Sequence, residues 1–226
     1  MSIAATAAAT TPDLAGYHAV HAALRAAPHR MVAAVRDLDP SDRGRTTAFA
    51  RYWRGFAGEV HAHHTVEDVA FFPDLVARIP STRTLIDRTD ADHHHLDVLM
   101  ADGTAACERL VAGGDVRSLP VILEALAAHM DEHLDLEDVE VLPLIERTYT
   151  PAEYEALERV AIKEVGMGAQ AAFSIPFILA AVTPEERARM IGTAPLALRV
   201  LHRLTRGRFA RLDAAALGPV DDVARS

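Results

Sequence analysis

The sequence predicts an all-α protein, an up-down-up-down four-helix bundle with short C-terminal helices packed on it. Four long segments before residue 150 carry apolar residues every three or four positions, the breaks between them are short, and no run of alternating β-branched residues marks a strand. Long helices joined by short breaks must lie as antiparallel neighbours.

The first segment places Leu14, Tyr17, His21, Leu24, Met31, Val35 and Leu38 on one stripe, and Pro28 on the same stripe predicts a kink. The second starts near Ser41, runs through Phe49, Trp53, Phe56, Val60 and His63, and ends near Ile79 before Pro80. The third follows Ser81 and carries Ile86, His93, Leu96, Met100, Cys107 and Leu110 up to Gly113 and Gly114. The fourth opens at Ser118 with Pro120 in its first turn and carries Ile122, Leu126, His129, His133 and Leu144. Beyond Thr150 the helices are expected to be shorter. Thr150-Pro151-Ala152-Glu153 and Thr183-Pro184-Glu185-Glu186 both read as N-cap, Pro at the first helical position and an acid at the third. The organisation expected is a flexible tail over 1–11, a bundle over 12–148 and a helical extension over 149–226 that packs on the bundle as structural cover.

Composition bounds the function. At 226 residues with 50% hydrophobic and 24% charged content, the chain reads as an ordinary globular protein able to bury a core. One cysteine, Cys107, excludes both an intrachain disulfide framework and a thiolate metal site, so a reducing cytoplasm is the expected location. The N-terminus lacks the basic region of a secretory signal. A net charge of −9 argues against nucleic acid. Arg199, Arg203, Arg206, Arg208 and Arg211 make the C-terminal end locally basic, a solvated face. The longest apolar run, Ala169 to Val182, is too short to span a membrane and holds Ser174 and Pro176, so it reads as a buried helix.

Histidine is the unusual component, with eleven of the twelve lying between His18 and His133. The second and fourth segments share a repeat. His63-His64-Thr65-Val66-Glu67-Asp68-Val69-Ala70-Phe71-Phe72-Pro73 aligns with His133-Leu134-Asp135-Leu136-Glu137-Asp138-Val139-Glu140-Val141-Leu142-Pro143, both H-x-x-x-E-D-V-x-φ-φ-P with φ apolar. At i and i+4 a His and a Glu share one helix face about 6 Å apart along the axis, and these pairs continue apolar stripes, so they point inward. A buried carboxylate is costly without a partner, and a divalent metal compensates several at once. His21 and His93 add one inward His each from the first and third segments. A lone inward His is more often a core residue than a ligand, but four on four consecutive helices, two followed by Glu, reverse that weighting. The candidate metal set is His21, His63, Glu67, His93, His133 and Glu137, two copies of one pattern, which suggests two metals bridged by carboxylates. His18, His61, His64, His94 and His95 fall about 100° or more off the inward stripes and are expected to face solvent or lie outside the ligands. His29 and His202 have no visible partner.

These motifs resemble the hemerythrin-like, or HHE cation-binding, family over about residues 12 to 148, in particular bacterial members with the H…HxxxE…H…HxxxE pattern. The TPAEYEAL and TPEERARM segments resemble the C-terminal extension of actinobacterial members. The resemblance implies a non-heme di-iron site, oxo- or hydroxo-bridged, with His21, His63, His93 and His133 as ligands and Glu67 and Glu137 as bridging carboxylates. It implies no cofactor beyond metal. Two departures stand out. Oxygen carriers keep H-x-x-x-H on the third helix, whereas Asp97 follows His93 here, and His129 is the candidate replacement. Carriers also bridge with an Asp five positions after the fourth-helix His, here Asp138, whereas Glu137 mirrors Glu67 and is favoured.

Nitrogen and oxygen donors without thiolate suit iron, and manganese and zinc as well. A rival motif, His129-x-x-Glu132-His133, matches a zinc-peptidase spacing but leaves the His of the other helices unexplained. A missing fifth His leaves open coordination positions, which favours redox chemistry on peroxide or nitric oxide, or sensing of O2 or redox state, over reversible O2 carriage. The alternative is an iron or oxygen storage or sensing module without catalysis. The partners expected are small gaseous or peroxide ligands, and the sequence names no catalytic residue.

Overall fold

A computed structural model describes residues 11–114, 116–165 and 168–218, and it is helical throughout, with no strand among these residues. Helix α1 (Ala15–Arg36) continues through Pro28. Helix α2 (Arg43–Val66) is capped by Asp42, whose carboxylate accepts from the Arg45 N–H at 2.9 Å. After α3 (Phe72–Arg78) and a 3-10 turn at Pro80–Thr82, α4 (Arg83–Ala112) runs to Gly113, which takes φ +78° and ends the helix in the left-handed conformation. Helix α5 (Ser118–Leu136) is followed by α6 (Leu142–Thr148).

The repeat has a backbone consequence that periodicity alone does not reveal. In both copies the turn from the Glu onward, Glu67–Phe71 and Glu137–Val141, is a π-helical turn. The Phe72 N–H donates to the Glu67 carbonyl, and the Leu142 N–H donates to the Glu137 carbonyl. Pro73 and Pro143 are the physical cause, because a proline ring clashes with the carbonyl four residues back and supplies no N–H, and a wider turn relieves both.

The tail is α7 (Pro151–Val165), α8 (Ala171–Ala181), α9 (Pro184–Thr193) and α10 (Leu196–Leu217). Both expected N-caps form, with Thr150 paired to Glu153 and Thr183 to Glu186. Helix α10 is longer than the short helices the sequence suggested, at 22 residues. Its start at Pro195 has no side-chain cap, so no local signal announced it. It packs along α2 and α8, and Arg30 of α1 pairs with Asp213 through two 2.8 Å hydrogen bonds. Helix α8 lies against α1, α2 and α10 because Gly55 and Gly58 leave room on α2: a Cβ at either would sit 2.3 Å from Phe173 or 2.4 Å from Gln170. The apolar run over α8 is therefore half-buried, with Pro176, Phe177 and Leu179 as its buried residues.

The core forms two apolar layers. One contains Leu24, Trp53, Phe56, Val60, Leu96, Leu126 and Met130. The other contains Tyr17, Phe71, Phe72, Ile86, Val141, Leu142 and Ile145. Each large side chain taken fully from water contributes about 1.5–3 kcal/mol. Helices α1 and α4 pass from the second layer to the first, and α2 and α5 pass the other way, which is the expected alternation. Each of these four helices crosses between the layers at its buried His: His21, His63, His93 or His133.

Candidate metal centre

Between the layers lie His21, His63, His64, Glu67, His93, His133 and Glu137, none more than 7% exposed. Their polar atoms form two groups, each within 4.8 Å: His64, His93 and His133 in one, and His21, His63, Glu67 and Glu137 in the other. The two carboxylates join the groups. Glu137 turns Oε2 toward His21 Nε2 (3.4 Å) and His63 Nε2 (3.7 Å), and Oε1 toward His133 Nε2 (3.6 Å) and His93 Nε2 (3.8 Å). Glu67 turns Oε1 toward His63 Nε2 and Oε2 toward His93 Nε2, both at 3.4 Å.

The six residues singled out in the sequence are thus brought together, and a seventh joins them. His64 was expected to face solvent or stand outside the ligands; it is 5% exposed and stacks on His93 with ring centroids 3.8 Å apart. The 100° step from His63 explains why His64 does not face solvent: α2 faces α1 with one residue and α4 with the next, and both faces are interior. The other off-stripe residues His18, His61, His94 and His95 are exposed. Asp97 is exposed as well. His129 lies outside the cluster, its ring tilted against that of His95 (centroids 4.3 Å apart) and beside Asp92, and Glu132 is exposed, so the zinc-peptidase spacing is not assembled. His29 has a partner after all, Asp131 at 2.8 Å.

The Asp of each repeat holds the outer nitrogen of a His on a neighbouring helix. The His21 Nδ1–H donates to Asp138 at 2.7 Å and the His93 Nδ1–H donates to Asp68 at 3.1 Å, leaving both Nε2 atoms aimed at the cluster. Arg25 steadies Asp138 at 3.1 Å. Asp138 thus holds the His21 ring and lies outside the two groups of polar atoms. Tyr17, which the sequence offered only as a core residue, donates its hydroxyl to Glu67. Its position four residues before His21 on one stripe was the available signal.

Electrostatics divide these groups. Burial works against a charged His21, but Asp138 and Glu137 outweigh it and raise its pKa to about 9. Burial opposes His93 too, and Asp68, Glu137 and Glu67 push it up to about 12. Burial lowers His64 and His133, so their rings stay neutral. Burial alone would raise Glu137, yet His21, His63 and His93 hold it well below the carboxylate range. Burial, then Glu67 and Glu137, raise Tyr17 well above its ordinary value.

A metal fits this arrangement. Buried atoms of all seven side chains have no hydrogen-bond partner: Nε2 of His21, His63, His64, His93 and His133, Oε2 of Glu67, and both Glu137 oxygens. Unpaired buried polar groups cost about 1–3 kcal/mol each, and eight facing one another call for a shared counter-group. Donors each about 2.1 Å from a common ion sit about 3.0–3.5 Å from one another, close to the shorter contacts here.

The hemerythrin HHE cation-binding domain model matches residues 14–145, which is more than half of the chain. The chain belongs to this family. The HHE match covers α1 through most of α6, the stretch that supplies all seven cluster residues, and leaves α7–α10 outside it. Searches of curated proteins and of solved structures gave no match.

Proposed function

We propose that this HHE domain holds two metal ions, iron by family membership, and binds O2, nitric oxide or peroxide there for redox conversion or sensing. The observation that carries the reading is the pair of carboxylates, each presenting one oxygen to each of two imidazole groups. In this reading His64, His93 and His133 with Glu67 and Glu137 give one ion five protein donors, and His21 and His63 with the same carboxylates give the other four. The Tyr17 side, with fewer protein donors, would be the one left free for a small ligand. Nitrogen and carboxylate donors without thiolate suit iron, manganese and zinc alike, and membership of the hemerythrin HHE family is what points to iron. Bound iron would supply one-electron chemistry and a Lewis-acidic site for the small ligand.

The chain's own residues prepare this site. Asp68 and Asp138 fix the rings of His93 and His21 by their outer nitrogens, so that the inner nitrogens point inward. Protons held by His21 and His93 balance the carboxylates until metal replaces them, so loading releases protons. The two apolar layers exclude water and strengthen every charge interaction between them. Tyr17 keeps a hydroxyl hydrogen at Glu67, beside the open position. Among the described residues no helix is long and apolar enough to cross a membrane, and a single buried cysteine fits a reducing cytoplasm.

Metal analysis and optical spectra with and without azide test the reading. The full chain should carry about two iron per chain with an azide-sensitive band, and Glu137→Ala should fall to well under one. Less than one iron in the unaltered chain, whatever the iron supplied, overturns it. Oxygen release from added peroxide, two peroxides giving two waters and one O2, marks an enzyme; a stable spectrum under peroxide marks the sensing or storage alternative.

A further inference from the structure

We infer that a pocket between the bundle and its C-terminal helices binds an uncharged, mostly apolar organic molecule bearing a hydroxyl group, delivered against the Tyr17–His63 edge of the metal centre. The inference deepens the proposed function by naming a ligand class for the open side, and it rests on that reading only for its role, not for binding.

Three observations meet there. The pocket has a volume of about 450 Å³, which lies in the range of small-molecule sites at about 300–1,000 Å³ and far exceeds a packing void. Its walls are mainly aliphatic, with Val20 from α1, Ile175 and Ile178 from α8, and Leu198 from α10, so an apolar body is preferred. Tyr17 and His63 line the same pocket, and both touch the metal cluster.

A fourth observation is Glu59. It lines the pocket, is only 5% exposed, and its Oε2 has no hydrogen-bond partner. Burial raises the Glu59 pKa while Ser174 and Gln170 beside it partly offset this; Gln170 also donates to the Gly55 carbonyl at 2.9 Å and to Ser174 at 3.1 Å, and Oε2 is the oxygen left unpaired. A buried acceptor without a donor is costly, and a ligand O–H would satisfy it. An anion is excluded by the same carboxylate and by Glu158 in the same wall. Tail and bundle build this pocket together, which gives the extension a task beyond cover.

The test uses the full, metal-loaded chain with 1-naphthol and naphthalene as probes, read by fluorescence titration. We expect one saturable site that prefers 1-naphthol at least 10-fold, the discrimination that satisfying a buried, unpaired carboxyl oxygen provides. Gly16 lines the pocket, and a Cβ there meets nothing within 4 Å, so Gly16→Phe plugs the opening without a clash at its root. That variant should weaken both probes about 10-fold or more, a factor about equal to 1.4 kcal/mol of lost contact. Glu59→Leu should keep naphthalene binding and abolish the preference. Absence of saturable binding, indifference to Gly16→Phe, or a preference that survives Glu59→Leu each overturns the inference. Tighter binding after removal of residues 1–10 would assign the pocket to the chain's own N-terminal segment and overturn it too. Iron content of the same sample separates the two claims. A chain with little iron that still discriminates the probes keeps the pocket and loses the di-iron reading, and an iron-loaded chain that ignores them does the reverse.

Discussion

At the second position of the repeat α2 carries His64 and α5 carries Leu134. Around that difference the two halves of the site diverge. The half with His93 gathers a third imidazole, His64, which stacks on His93. The half with His21 instead gains Tyr17 on the outer side of Glu67. Thr89 occupies the position in α4 that Tyr17 occupies in α1, four residues before the His. It is buried and gives its hydroxyl to the Leu85 carbonyl of its own helix at 3.2 Å. A duplication that keeps the same residue at five of the eleven motif positions thus produces a crowded side with His64 and an open side with Tyr17.

The largest expected effect comes from making the halves alike. His64→Leu places in α2 the residue that α5 already has. It should reduce metal from about two per chain to about one, or weaken one of the two by at least 10–100-fold, the loss seen even for residues that only support ligands. The metal-free protein should respond in the opposite direction. His64 Nε2 is buried without a partner, so an apolar replacement of similar size should leave that form as stable or more stable, by up to about 1–3 kcal/mol. Metal analysis and urea unfolding of both forms read the two signs. A variant that keeps two metals would show that His64 is only a core residue.

What the sequence disclosed and what it hid follow from the same geometry. The four long helices were legible because each buries a stripe of 3.6-residue period, and six of the cluster residues because His and Glu one turn apart continue those stripes. His64 was hidden because a single-stripe reading allows α2 one inward face, whereas a helix in a four-helix bundle faces two neighbours. The roles of Asp68 and Asp138 were half-visible in the repeated E-D pair. Their orientation depends on the π turns that Pro73 and Pro143 impose, and these rotate the chain after each Glu out of the helical register. Helix α10 was missed because its start has no capping side chain.

Tyr17→Phe tests the open side. It removes the hydroxyl that Glu67 accepts, and a hydrogen bond to a charged group contributes about 1.5–3 kcal/mol. Thermal unfolding should register that loss, while Thr89→Val on the crowded side should cost less, because the Thr89 hydroxyl only returns to its own helix. Equal losses in the two variants would remove Tyr17 from the site and return it to the apolar layer.

The smallest effect should be the pH dependence of the metal-free protein, and it too separates the halves. His21 is raised from 6.5 to about 9 by Asp138 and Glu137 against the opposing effect of burial, whereas His93 is pushed up to about 12. A His whose folded pKa exceeds its unfolded value adds stability that is complete below the unfolded value and disappears as pH rises through the folded one. As pH rises from about 6.5 the unfolding midpoint should therefore fall by a few degrees, the His21 contribution being spent above about pH 9 while that of His93 continues beyond it. Histidine ring resonances give the assignment directly, with His21 titrating near pH 9 and His93 unchanged at that pH. Metal loading removes both protons beforehand, so the loaded protein should show neither the titration nor the loss of stability. Persistence of the titration near pH 9 in a chain with two metals would place His21 outside the ligand set.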